Sequence, residues 1–163
     1  MRKFLFLLLL ASSQPTFAQQ PDFCSKLDKL ISSIQNKDKS LWGEFVQGDS
    51  FTQSYKSKFS LAEGNTNNTT FYTVSDDDRS FGYREDIYKG ADSTAGWKIY
   101  KDLQSKLQKC IDFKLEEKVA DGYKCKFITF FFGHYSAALE YCNEDAGRRV
   151  SVVFKITRVY PSN

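Results

Sequence analysis

The chain has 163 residues, of which 26% are charged and 16% aromatic, with a formal net charge of +3 at neutral pH. That length suits one ordinary domain or two small similar ones. Without Arg2 and Lys3 the basic residues fall from 23 to 21 against 20 acidic ones. No lysine or arginine block then remains to hold nucleic acid or an anionic membrane.

Residues 1–18 read as a secretory signal peptide: Arg2 and Lys3 form the positive start, "FLFLLLLA" the apolar stretch and "PTFA" a cleavage site after Ala18. The apolar run is shorter than the roughly 20 residues a membrane span needs, and no later stretch qualifies. Cys24 follows "PDF" and lacks the small-residue box of a lipoprotein. The expectation is a free secreted or periplasmic chain, residues 19–163.

The first helix is expected over 23–36, where Leu27, Leu30, Ile31 and Ile34 share one face and Asp22 stands at the N-cap position. Strand-like runs follow at 41–47, 51–61, 69–75 and 80–88, separated by "GDS", "EGNTNN" and "DDDR". A second helix is expected over 95–111, with Tyr100, Leu103, Leu107, Cys110 and Ile111 on its apolar stripe and "DST" as its cap. Strands are expected again at 113–119, 123–132, 137–143 and 148–160, separated by "ADG", "GHYS" and "EDAG".

Each half is thus one helix followed by four strands, and the patterns superpose at an offset of 70–73 residues: Leu27 on Tyr100, Asp49 on Asp121, Arg79 on Arg149. A meander with one polar face needs a cover on the other, and an amphipathic helix supplies it. The expected fold class is α+β, a tandem pair of α-β-β-β-β units (19–90 and 91–163) with an antiparallel sheet covered by two helices on one face. The halves form either one continuous sheet or two adjacent ones. In architecture alone this is similar to cystatin-type units and to secreted tandem-repeat inhibitors of β-lactamase. Fold does not fix function.

All four cysteines, Cys24, Cys110, Cys125 and Cys142, lie beyond the leader. An even number in an exported chain, with no C-x-x-C pair and a single histidine, favours two disulfides over metal or redox chemistry. Of the three connectivities, Cys24–Cys110 with Cys125–Cys142 is preferred, the second closing a short loop for about 3 kcal/mol.

Catalytic constellations find little support. His134 sits in the turn "FGHYS" with no nucleophile elbow or free thiol to serve. "DDDR" at 76–79 lacks the alternate spacing, glycine and closing glutamate of a calcium loop. Neighbouring carboxylates such as Glu85/Asp86 and Glu116/Glu117 fall in strands and point to opposite faces. No phosphate loop is present. Asn67 and Asn68 are overlapping glycosylation acceptors only in a eukaryotic secretory route. The expectation is no enzyme, no cofactor and no metal.

What stands out is "KCKFITFFFGHYSAALEYC", 124–142. Alternation puts Ile128, Phe130 and Phe132 on one face and Phe127 and Phe131 on the other, so the strand is apolar on both sides. Core packing absorbs one face; an apolar patch left outside marks an interaction site. The leading expectation is an exported non-enzymatic binding protein, inhibitor or immunity-type, contacting another protein through Phe130, Phe131, Phe132, His134 and Tyr135. The alternative is a small-molecule or lipid carrier with its ligand between helix and sheet.

Overall fold

The computed structural model describes residues 22–49, 52–63, 65, 69–74, 80–111, 124–144 and 149–158. The expected signal peptide at 1–18, the expected strand at 113–119, the "DDDR" run and Asn67 and Asn68 lie outside the described residues.

Helix α1 spans Phe23–Gln35 and buries Leu27, Leu30 and Ile34. Asp22 starts it: the carboxylate accepts the Ser25 N–H at 2.8 Å, and this backbone hydrogen bond holds its pKa below the usual carboxylate value. The helix stops where Lys37 turns left-handed at φ 55°, with the Asp38 N–H closing back on Ser33 O at 2.8 Å. Helix α2 spans Ser93–Cys110 and buries Tyr100, Leu103 and Leu107. Asp92 is its cap, accepting from the Thr94 and Ala95 N–H groups.

The strands are β1 (Trp42–Gly48), β2 (Thr52–Ser57), β3 (Thr69–Val74), β4 (Ser80–Gly90), β5 (Lys124–Phe132), β6 (Tyr135–Glu144) and β7 (Arg149–Arg158). They form one antiparallel sheet in the order β1-β2-β3-β4-β7-β6-β5. The halves meet at their last strands, where β4 pairs with β7 from Tyr83↔Ile156 to Gly90↔Val150. The fold is therefore α+β, and the described strands make a continuous sheet.

Both helices lie on one face of it. Val150, Val152, Phe154 and Ile156 of β7, Ala137, Leu139 and Tyr141 of β6, and Ile128 and Phe130 of β5 join the buried helix residues in a single core. Gly96 is where α2 comes closest: a Cβ there would stand 2.6 Å from Val150 Cγ1 and 3.2 Å from the Tyr88 ring. Val150 is fully packed and β-branched, so it cannot swing aside. Gly96→Ala is expected to destabilise by about 1 kcal/mol despite alanine's better helix propensity, read as a lower urea midpoint at unchanged slope.

Two expected boundaries are corrected. The second strand, read as 51–61, ends at Ser57, whose hydroxyl bonds both the Phe59 N–H (2.9 Å) and the Phe59 carbonyl (2.6 Å) and so turns the chain out of the ladder. The segment beyond it is captured by Glu85, a fully buried residue of β4. One Glu85 carboxyl oxygen accepts from Ser60 Oγ, the Ala62 N–H and Asn65 Nδ2, and the other from the Leu61 N–H and Tyr83 OH, at 2.7–3.2 Å. Burial, and then the neighbouring Glu85 charge, push the Tyr83 hydroxyl far above the usual tyrosine pKa, so it stays a donor.

The second correction concerns "GHYS". The turn consists of Gly133 and His134 alone, with Gly133 at φ 56° and Phe132 paired directly with Tyr135. Positive φ at the first position is the demand of a type II′ hairpin. Tyr135 therefore opens β6 and turns into the core.

Both disulfides are present, Cys24–Cys110 and Cys125–Cys142, and no cysteine is free. Cys24–Cys110 ties the start of α1 to the end of α2. Cys125–Cys142 bridges directly opposed residues of β5 and β6. Among the described residues no helix is long and apolar enough to cross a membrane.

Candidate functional site

The β5–β6 hairpin has a packed side and an open side. Toward the helices, Phe130 meets Phe132 and Phe154, and Phe132 stacks on Tyr135 with ring centroids 5.8 Å apart. Lys126, also on this side, lies 4.9 Å from the Trp97 ring centroid, whose other cation is Lys101 of α2 at 5.0 Å. This side docks the hairpin under α2.

The opposite side carries Cys125, Phe127, Thr129 and Phe131. Strand pairing extends each of them into a row across the sheet. Cys125 continues through Cys142 and Ser151 to Lys89, and Phe127 through Glu140 and Val153 to Asp86. Thr129 continues through Ala138 and Lys155 to Arg84, and Phe131 through Ser136 to Thr157.

The charged positions in these rows are partnered. Asp86 accepts from Arg84 and Lys89, each at 2.8 Å, Glu140 pairs with Lys155, and the Ser136 and Thr157 hydroxyls are 3.1 Å apart. Glu85 and Asp86 accordingly point to opposite faces, one into the core and one into this ladder. Val153, flanked by Asp86 and Glu140, is only 4% exposed. The polar part of the outer face is thus internally satisfied, and the apolar part lies on β5.

The five residues expected to contact a partner divide accordingly. Phe130 and Tyr135 are buried in the core, Phe132 is half-buried against it, and His134 is exposed in the turn. Phe131 remains 70% exposed, more than Phe45 or Val46, the other large apolar residues in the open among those described. The hairpin therefore does not present an aromatic cluster; it presents Phe131 at the tip, with Phe127 half-buried farther along the same face.

Sequence reading did not single out Phe45 and Val46, which are 58% and 47% exposed on β1 at the far edge of the sheet. Register shifts on both sides of Phe45 break the simple alternation of "LWGEFVQ", so Phe45 turns to the Tyr55 ring, 5.6 Å between centroids. From Tyr55 a chain of rings leads inward through Trp42 to Phe71 and Tyr83. The nearby glycines, Gly43 and Gly48, are the only local hint of a bulged strand.

Among the described residues no group of three or more His, Cys, Asp or Glu side chains could hold a metal ion. His134 has no described side chain bonded to it. The large apolar side chain that the hairpin leaves exposed is aromatic, Phe131. No family model, curated protein or solved structure matches this chain.

Proposed function

We propose that the chain is an exported, non-enzymatic binding protein that grips another protein, as an inhibitor or immunity-type protein does, through the outer face of the β5–β6 hairpin. The observation that carries the reading is Phe131: a large aromatic side chain, 70% exposed, on a strand whose opposite face packs on the core through Ile128 and Phe130. Burying one such ring in a partner removes much apolar surface from water at low entropic cost, and rings of this kind dominate interface energies. Thr129, Ser136 and His134 supply the polar surround that such an anchor needs.

Export belongs to the same reading. It rests on the leader-like residues 1–18 and on the pairing of every cysteine, the state expected of an oxidising compartment. So does the tandem-unit design. Two meanders meeting at their last strands, each half opening with a capped helix, is the arrangement that duplication of an α-β4 unit would produce.

The test uses residues 19–163 as bait in the secreted fraction of the native source, with bound proteins identified by cross-linking and mass spectrometry. Phe131→Ser is expected to weaken capture by about thirtyfold, the loss of a hot-spot side chain, while the thermal midpoint stays near that of the unsubstituted protein. Phe45→Ser, at the far edge, is expected to leave capture intact. Undiminished capture by Phe131→Ser would rule the hairpin face out.

A further inference from the structure

On the helix side of the molecule, away from Phe131, lies a groove of about 950 Å³ bounded by the first turn of α1, one face of α2 and residues 61–63 and 65. Its floor is apolar: Leu61 and Leu103 are buried, and Phe23, Ile87 and Ile99 are half-buried with their free sides toward the groove. The volume is in the range of small-molecule sites, about 300–1,000 Å³.

Its wall is held from behind. Leu61, Ala62 and Asn65 line the groove and are also the residues whose backbone or amide groups the buried Glu85 carboxyl accepts from. A carboxyl group withdrawn from water to fix one short segment gives that wall a defined shape. A surface dent between helices needs no such device.

The rim carries charges of both signs, and most of them are answered. Lys26 faces Glu63 at 3.9 Å, Lys106 pairs with Asp102 at 2.7 Å, and Asp22 is committed to the α1 N-terminus. Lys98 lines the groove and pairs with none of the described residues. It stands one residue before Ile99 of the floor, so a cation with no partner among the described residues borders the apolar surface.

We propose that this groove is a binding site for a small monoanionic amphiphile, an apolar body ending in a single carboxylate. The body lies on Phe23, Ile87, Ile99 and Leu103, and the carboxylate meets the Lys98 ammonium. A dianionic ligand would have to face Asp102 and Glu63 with its second charge. A wholly apolar one would gain nothing from the Lys98 ammonium. The site is separate from the protein-binding face proposed above and stands or falls without it.

The test titrates the oxidised protein, residues 19–163, with dodecanoate below its micelle concentration and follows the heat of binding, with 1-decanol as the uncharged probe. Dodecanoate is expected to bind one per chain. Lys98→Glu is expected to weaken dodecanoate by about tenfold or more while leaving decanol unchanged, because only the charge is altered. Ile99→Glu is expected to weaken both. Far-UV circular dichroism and the thermal midpoint establish that each variant is folded; Lys98 is exposed on α2 and Ile99 is half-buried.

Three results would overturn the proposal. These are no heat with dodecanoate in the millimolar range, equal dodecanoate affinity in the unsubstituted protein and Ile99→Glu, or equal losses of decanol and dodecanoate in Lys98→Glu. Loss of partner capture in Phe131→Ser with dodecanoate binding intact separates this site from the hairpin face.

Discussion

Replacing Glu85 by glutamine is expected to lower the unfolding free energy by about 2–3 kcal/mol, and by alanine about 4 kcal/mol or more. The reason is the one-sidedness of its partners. Every group around it donates, and both carboxyl oxygens accept. An amide nitrogen placed beside Leu61 would oppose that residue's N–H with a second donor, whereas the Tyr83 hydroxyl could rotate and accept. Turned the other way, the amide would oppose the Ala62 N–H and Asn65 Nδ2. Glutamine therefore strands at least one buried donor in either orientation, and alanine strands them all and leaves a cavity. Urea unfolding gives the free energies. Hydrogen exchange at Leu61 and Ala62 gives the mechanism, since their protection should fall further than that of β6 and β7 amides. Equal losses everywhere would mean that Glu85 supports the core rather than this segment.

Removing Cys24–Cys110 by the double serine substitution is expected to cost about 4–5 kcal/mol, and removing Cys125–Cys142 about 3 kcal/mol, on the chain-entropy account. The first bridge closes a separation of 86 residues and the second one of 17. The difference should be larger in practice. Cys125 and Cys142 sit opposite each other in a ladder that runs unbroken from Lys124↔Asn143 to Phe132↔Tyr135, so the strands stay aligned without the bond. Helix α1 reaches the sheet mainly beside β4, and the bridge to α2 is its covalent hold at the N-terminal end. Denaturant melts of the two double-serine variants in parallel check the ranking; a larger loss from the hairpin bridge would contradict it.

Much of the architecture was legible because period and turn chemistry are local. The stripe Leu27, Leu30, Ile34 marked α1 within a residue of its observed end, and Tyr100, Leu103, Leu107 did the same for α2. The preferred cysteine pairing also holds, since the hairpin register brings Cys125 opposite Cys142 and leaves Cys24 for Cys110. What was not legible depends on distant partners. Nothing in "YREDIY" distinguishes Glu85 from Asp86, yet one is fully buried and the other lies in a surface ion ladder. Most of the donors that decide this lie twenty or more residues earlier, Ser60 and Leu61 among them in a segment whose pattern reads as strand. The same limit affected the candidate site. Alternation correctly separated Phe131 from Phe130, but Tyr135 was assigned to a loop because two turn residues suffice where four were allowed. The groove was invisible in the sequence, for its lining residues come from four separated segments and each looks ordinary in its own.

The cysteines pair in the order in which they occur along the chain, the first with the second and the third with the fourth. An oxidant that joins thiols as successive ones emerge during synthesis would reach the native connectivity directly, with no mispaired species to be reshuffled by thiolate attack. Oxidative maturation of this protein should therefore proceed at full yield in cells that possess a disulfide oxidase but lack an isomerase.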